Sequence, residues 1–152
     1  MENGPYDLKN PASRGEWQTY HRIRREVLFE ASGLARTYDE DDESALPPGA
    51  QALLLFHDGR AVATLRLSLL SERSMEVRLV AVAQPDQGRG HGRVLLGLAE
   101  TRAREAGAWR MVVNVFGGAE PFFAKSGYVR ETWDDPIAGP PAPEVIQMAK
   151  EL

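Results

Sequence analysis

The sequence predicts an α/β (α+β) fold, a mixed and mostly antiparallel sheet with helices packed against it. Three observations carry that expectation. Asp58-Gly59 separates two apolar-rich runs, Gln51 to His57 and Arg60 to Leu70, and this dipeptide between such runs signals a two-residue hairpin turn. A further apolar run, Met75 to Ala83, leads into the stretch Gln87-Gly88-Arg89-Gly90-His91-Gly92-Arg93 and then into a segment of helical periodicity beginning at Val94. Beyond it, strand-like and helix-like segments alternate to the end of the chain without an internal repeat. The 152 residues have room for one hydrophobic core, hence a single domain over 1–152.

Residues 1–12, which include Pro5 and Pro11, read as a loose lead-in. Ser13 and Glu16 have capping-box spacing, and Trp17, Tyr20, Ile23, Arg24, Val27 and Leu28 then follow a near-helical period as far as Gly33. An amphipathic helix is expected there, with Trp17 and Tyr20 facing the core. The run Asp39-Glu40-Asp41-Asp42-Glu43, closed by Pro47-Pro48-Gly49, has two readings. Its like charges repel and stay solvated as a loop, or they line an acceptor mouth and attract a cationic amine. The hairpin strands come next, followed by a turn at Ser71-Glu72-Arg73-Ser74 and the third strand. After the glycine loop, Leu95, Leu98, Ala99, Ala103 and Ala106 form one face of a helix stopped by Gly107. Trp109 to Phe116 suits a buried central strand and Ala119 to Ser126 a short helix before Gly127. Tyr128 to Trp133 and, after the Pro/Gly-rich loop 136–143, Val145 to Leu152 read as the last strands.

Composition removes several classes of function. With no cysteine the chain has no disulfide, thiolate metal site or cysteine nucleophile, in keeping with a reducing compartment. His21, His57 and His91 lie far apart in sequence with no two at ligand spacing, so no metal site is expected. The net charge of −4 argues against a nucleic-acid partner, which selects a strongly basic face. No apolar run approaches the roughly 18 residues of a membrane span, and Met1-Glu2-Asn3-Gly4-Pro5 does not read as a signal peptide. The expectation is a cytoplasmic protein with neither a membrane nor a nucleic-acid partner.

The glycine loop carries the chemistry. Between a strand and a helix, backbone N–H groups without Cβ obstruction converge at the positive end of the helix dipole, and Arg89 and Arg93 add charge. Such a cradle suits a phosphate or pyrophosphate, although a tight strand-to-helix turn alone would need the same glycines. A dinucleotide fingerprint fails because its third glycine falls on Arg93, and a P-loop fails for want of Gly-Lys-Ser/Thr. What remains is Gln-x-x-Gly-x-Gly, with Gln87, Gly90 and Gly92 in the fixed places.

That motif resembles the pyrophosphate-binding loop of the GNAT superfamily of N-acetyltransferases, which hold acetyl-coenzyme A. Glu76-Val77-Arg78-Leu79-Val80-Ala81-Val82 reaches the loop at the distance family members keep between their fourth strand and this motif. Val113-Asn114-Val115 and Ala119-Glu120-Pro121-Phe122-Phe123-Ala124-Lys125-Ser126-Gly127-Tyr128 are similar to the fifth strand and the helix ending in a Gly-aromatic pair. Ile146-Gln147-Met148-Ala149-Lys150 resembles the usual last strand, so the likeness covers about residue 13 to the end. It implies the GNAT fold, with the sheet splayed between strands 4 and 5 to admit the pantetheine arm of acetyl-CoA. Backbone groups of Val80, Ala81 and Val82 would line that arm, and the N–H near Val82 would polarise the thioester carbonyl. The stretch Gln87, Gly88, Arg89, Gly90, His91, Gly92 and Arg93 would hold the pyrophosphate, and Asn114 and Phe123 would also touch the cofactor. Asn114 has a second reading, as the owner of a strand-end hydrogen bond.

The implied reaction is direct transfer of the acetyl group to a primary amine, of a small molecule or a peptide, through a ternary complex. An alkylammonium lies about 3.4 units from neutrality at pH 7, worth roughly 4.6 kcal/mol, so a base is useful. Glu76 stands six residues before Val82, the offset at which histone-acetyltransferase members carry their glutamate base; the plain alternative is a solvent-facing strand glutamate. The position of the family's usual proton-donating tyrosine holds Phe123, which leaves the general acid unassigned between water and Ser126, while Tyr128 corresponds to a packing aromatic. A noncatalytic acyl-CoA sensor or subunit of the same fold is the rival reading, and the resemblance is compatible with a homodimer.

Overall fold

The computed structural model describes residues 4–30, 38–71, 73–136 and 138–152. Its spine is a seven-stranded sheet in the order β1-β2-β3-β4-β5-β7-β6. Strands β1 (Tyr6–Lys9), β2 (Ala50–His57), β3 (Arg60–Leu69) and β4 (Ser74–Val82) form an antiparallel run. β4 lies parallel to β5 (Arg110–Phe116), while β7 (Val145–Glu151) runs antiparallel to β5 and to the short β6 (Val129–Arg130). Helices α1 (Arg14–Arg24) and α2 (Glu40–Ser44) precede β2, α3 (His91–Glu105) links β4 to β5, and α4 (Glu120–Lys125) follows β5.

The β2–β3 hairpin turns on Asp58 and Gly59, both at positive φ (50° and 82°), the mirror-image turn that matches strand twist. Alternation then sorts the sheet's two faces. Leu53, Leu55, Leu65, Leu67, Val77 and Val113 join the cluster that Leu95, Leu96, Ala99 and Ala103 of α3 cover, a face on which Leu96 replaces the expected Ala106. On the other side, Tyr20 of α1 packs with Ala52 and Leu54, and Ile23 packs with Ala81 and Ala83. Tyr20 is fully buried and Trp17 partly so, as the periodicity predicts.

Ser13 caps α1 by accepting the Glu16 N–H at 3.1 Å, and Glu16 Oε1 accepts the Ala12 N–H at 2.9 Å. The helix then widens into a π-helical turn, Arg25–Glu30. Its expected continuation to Gly33 lies outside the described residues.

Three sequence expectations need correction. The lead-in 1–12 contains β1: Tyr6 and Leu8 pack on the core, and the strand pairs with β2 from Tyr6↔His57 to Lys9↔Leu54. Pro5 and Pro11 flank this edge strand rather than forbid it. The acidic run is α2 and its start, not a bare solvated loop. Glu40 pairs with Arg25 at 2.5 Å, and Glu43 pairs with Arg24 while its carbonyl accepts from Arg66. The strand expected over 128–133 shrinks to Val129–Arg130 because Gln147 substitutes for the ladder. Its Oε1 accepts the Trp133 N–H at 3.1 Å, and its Nε2 donates to the Trp133 carbonyl at 2.8 Å.

Arg24 is the charge this arrangement must hold. It is completely buried, its guanidinium lies 5.2 Å from the Tyr20 ring centroid, and Nε and Nη1 have no hydrogen-bond partner. Truncating the carboxylate that neutralises it should therefore be costly: Glu43→Ala is expected to lose about 3–5 kcal/mol of unfolding free energy in urea. A loss below about 1 kcal/mol would show that Arg24 is neutralised by something other than Glu43.

Candidate active site

The site begins where β4 and β5 separate. Their pairing runs from Ser74↔Arg110 to Val77↔Val113 and stops there, although β4 continues to Val82 and β5 to Phe116. At Leu79 the backbone takes φ 57°, and β3 slips register between Thr64 and Arg66 opposite Ala81 and Arg78, so β4 carries a bulge that bends it away from β5. The Ala83 N–H donates to the Val62 carbonyl at 2.9 Å, and strand alternation turns the N–H and C=O of Val82 the other way, toward the gap. The splay expected between strands 4 and 5 is present.

The gap opens into a cavity of about 800 Å³, within the usual range for a ligand site. β4 contributes Glu76 through Val82, β5 contributes Val113 through Phe116, and α4 contributes Phe122 and Phe123. Val27 and Leu28 close it on the α1 side, and Pro141, Ala142 and Val145 on the β7 side.

At one end lies the glycine loop. Gly88 and Gly90 have φ of 78° and 84°, and Gly90 caps α3 without any side-chain hydrogen bond, so the first turn of the helix keeps its N–H groups for another acceptor. No acidic residue sits in that turn, and Arg89 and Arg93 are exposed beside it. The loop is anchored from behind by Asp86, buried and gripped by Arg60 through bonds of 2.9 and 2.5 Å. Gln87 lines the cavity, and its Nε2 donates to the Val82 carbonyl at 2.9 Å, tying the loop to the open edge of β4. Gly92 lines the cavity as well; a Cβ there would come within 3.3 Å of Phe122 and 3.6 Å of Val82.

Two sequence assignments take different shapes here. The His91 side chain turns away from the cradle: Nδ1 meets the Tyr6 hydroxyl at 2.8 Å and the ring lies 4.8 Å from that of His57. Burial, with the neighbouring His57, holds its pKa below the ordinary histidine value. Only its backbone belongs to the loop, and the fold has brought together two histidines far apart in sequence. Ala81 likewise packs its side chain with Ile23. Among the described residues no cluster of histidine and carboxylate side chains suits a metal ion.

At the other end Glu76 is almost fully buried, and burial is the main reason its pKa is pushed up to about 7; Asp135 adds to the rise, while Arg78 and Asn114 oppose it. Asn114 Nδ2 donates to Glu76 Oε2 at 3.4 Å, and Arg78 Nε lies 3.9 Å from the same oxygen. Glu76 is thus a cavity group and not a solvent-facing strand glutamate. Arg78 was missed in the sequence, although it shares a strand face with Glu76 two residues earlier. Phe123 is buried against Phe122 and Tyr128, with ring centroids 5.1 and 5.5 Å away. Neither neighbouring hydroxyl replaces the missing tyrosine. The Ser126 hydroxyl donates to the Phe122 carbonyl at 3.1 Å, and the buried Tyr128 hydroxyl donates to Glu100 at 2.8 Å.

Solved structures share this architecture. An N-acetyltransferase candidate from Lactobacillus plantarum superposes with a TM-score of 0.74 at 23% identity, covering 98% of this chain and 99% of its own. The PaiA N-acetyltransferase from Thermoplasma acidophilum, solved in complex with coenzyme A, gives 0.73 at 16% identity over 97% and 99%. The ribosomal-protein-S18-alanine N-acetyltransferase from Escherichia coli gives 0.70 at 15% identity over 96% and 93%. At these identities the likeness is one of fold. The sequence itself matches the model of the Acetyltransferase (GNAT) family over residues 9–128, most of its length, and the chain belongs to that family.

Proposed function

We propose that this protein is an N-acetyltransferase that moves the acetyl group of acetyl-CoA directly to a primary amine. The observation that carries the reading is a buried carboxylate, Glu76, at one end of a cavity whose other end is an uncapped helix N-terminus behind a glycine loop. Family membership makes acetyl-CoA the cosubstrate, and the residues present fit it. The backbone of Gly88 to Arg93 suits a pyrophosphate, the open edge of β4 at Val80 and Val82 suits the amide-bearing pantetheine arm, and Phe122 and Phe123 exclude water. Acetyl-CoA supplies an activated acyl group, a thioester open to attack by a neutral amine.

Glu76 takes the proton that the amine must lose. A carboxylate with pKa about 7 is half ionised at neutral pH and is a far better base than an ordinary glutamate. The hydrogen bond from Asn114 supports a role for it on the acceptor side of the cavity as well as on the cofactor arm. No cavity-lining side chain among the described residues is placed to protonate the leaving sulfur, so the thiolate leaves with help from water; with a pKa near 8.5, a thiol is a stable enough leaving group.

Glu76→Gln is expected to cut kcat by about 100-fold or more while leaving the acetyl-CoA dissociation constant within about twofold by calorimetry. The wild-type to variant ratio of kcat/KM should climb with pH up to about 7 and level off above it, since Glu76 acts only when ionised. Stability should move oppositely. Glu76 is protonated in both states below the ordinary value of 4.5, the unfolded chain ionises first as pH rises, and above about 7 the full penalty is in place. The uncharged Glu76→Gln variant should then be more stable than wild type by roughly 1–3 kcal/mol at pH 8 and by little at pH 4. Unchanged turnover would remove Glu76 from the mechanism, and acetyl-CoA binding without thiol release to any amine would favour the noncatalytic sensor.

Gly90→Ala tests the cradle. A Cβ at φ 84° strains the loop by about 1–2 kcal/mol, a strain the ligand-free variant relieves by leaving the geometry that coenzyme A needs, so coenzyme A affinity should fall roughly tenfold. An unchanged dissociation constant would place the pyrophosphate elsewhere.

A further inference from the structure

The acetyltransferase reading leaves the acceptor open, and the cavity wall narrows it. We propose that the acceptor is an α-amino acid with an apolar side chain, its amine held by Glu76 and Asn114 and its carboxylate by Arg78. This inference rests on the acetyltransferase reading.

Among the described residues lining the cavity, Glu76 and Arg78 are the only charged side chains, one of each sign. They stand on the same face of β4, with Arg78 Nε 3.9 Å from Glu76 Oε2. That is beyond a hydrogen bond, so the half-exposed guanidinium keeps its planar donor fork for a carboxylate. In an α-amino acid a single carbon separates amine from carboxylate, and the adjacent anion and cation of the wall match that pair in reverse. Asn114 supplies a second observation. Its Nδ2 is spent on Glu76, but its Oδ1 is buried and accepts no hydrogen bond, an acceptor beside the base that an amine N–H would satisfy.

The surrounding wall is apolar: Val27, Leu28, Leu79, Phe116, Pro141 and Ala142. Leu79 and Phe116 are 39% and 62% exposed, large hydrophobic side chains that a nonpolar substituent would cover. A polyamine or an aminoglycoside would bring several cations to a wall with one carboxylate and an opposing guanidinium. The acidic run offers them nothing here, because Asp39, Glu40, Asp41 and Glu43 do not line the cavity and Glu40 and Glu43 are held by arginines. Asp135, whose charge reaches Glu76, is not on the wall either, and its Oδ1 accepts the Ala138 N–H at 2.9 Å. A peptide N-terminus has an amide where an amino acid has its carboxylate, and so gives Arg78 no ion to bind.

The test is the rate of coenzyme A thiol release from acetyl-CoA with L-phenylalanine, L-leucine, L-phenylalaninamide, phenethylamine and spermidine. The two free amino acids should exceed the amide, the decarboxylated amine and the polyamine in kcat/KM by about tenfold or more. Arg78→Ala should raise KM for phenylalanine by about 10- to 100-fold with a smaller change in kcat, so that the preference over phenethylamine shrinks toward unity, and Arg78→Lys should restore part of it. Turnover of phenethylamine, phenylalaninamide or spermidine in preference to the free amino acids would overturn the amino-acid assignment and leave the acetyltransferase intact. Thiol release with none of these amines, from protein that binds acetyl-CoA, would overturn the amino-acid assignment, and silence that extends to aminoglycosides and to peptides with free N-termini or lysines would overturn the acetyltransferase reading as well.

Discussion

The parting of β4 from β5 is the constraint on which the molecule depends. A parallel pair at the centre of a sheet would ordinarily run its full length, since an abandoned ladder leaves buried backbone donors and acceptors unpaired. Here four residue pairs form, and then Leu79 adopts a left-handed conformation that a branched side chain takes only at a cost of order 1–3 kcal/mol. Leu65 is left opposite two residues, Leu79 and Val80. The strain places the polar edge of Val80 and Val82 along a cavity instead of against β5. Gln87 takes up the Val82 carbonyl, so the glycine loop is fixed by the same edge it serves. The cavity and the polar strand edge along it follow from one interrupted ladder, which ends one residue beyond the buried carboxylate.

Burying Glu76 beside the fork works against stability and, in the proposed reaction, in favour of chemistry. The carboxylate sits on the last-but-one pair of the β4–β5 ladder, too deep for water to solvate it and with only a long hydrogen bond from Asn114 and a cation 3.9 Å away. A closer bond to Arg78 would restore an ordinary carboxylate, stable and weakly basic. The looser contact leaves desolvation dominant and the group titrating near neutrality. Elsewhere the fold treats buried charge differently. Glu100 is bonded by both Tyr128 and Lys150 at 2.8 and 3.0 Å, and Asp86 by both arms of Arg60. Those groups fasten α3 and the loop; Glu76 is the buried acid on the cavity wall that is left loosely held.

What could be read from the sequence was what short-range rules decide. Asp58-Gly59 fixes a hairpin through two positive φ values, Ser13 and Glu16 start a helix through backbone capping, and the glycine spacing shapes the cradle; each involves residues near in sequence. The failures involve residues that are distant. Tyr6-Asp7-Leu8-Lys9 is too short to announce a strand until β2 pairs with it. Asp39 to Glu43 looks solvated until Arg24, Arg25 and Arg66 arrive from two other elements. Trp133 leaves the sheet because a glutamine fourteen residues later supplies the missing hydrogen bonds. At the site, Glu76 could be singled out through its offset from the loop, while the place of Arg78 on the cavity wall could not, because it depends on what surrounds it.

The case of Arg78 bears on how charge in a sequence translates into charge at a site. Counted along the chain, the densest block of charge is acidic, and it suggests attraction of cations. In space two of its five carboxylates, Glu40 and Glu43, are held by arginines, one of them wholly buried, and these pairs tie α2 to the helix before it and to β3. The wall that meets the ligand carries one carboxylate and one guanidinium amid apolar surface. A charge at the contact itself, buried like Glu76 or half-buried like Arg78, outweighs a larger number outside, because exposed charges are screened by water and salt within about a Debye length. In the proposed acceptor site recognition therefore falls to Glu76 and Arg78, the two charged residues that β4 brings to the cavity wall, rather than to the net charge of the chain.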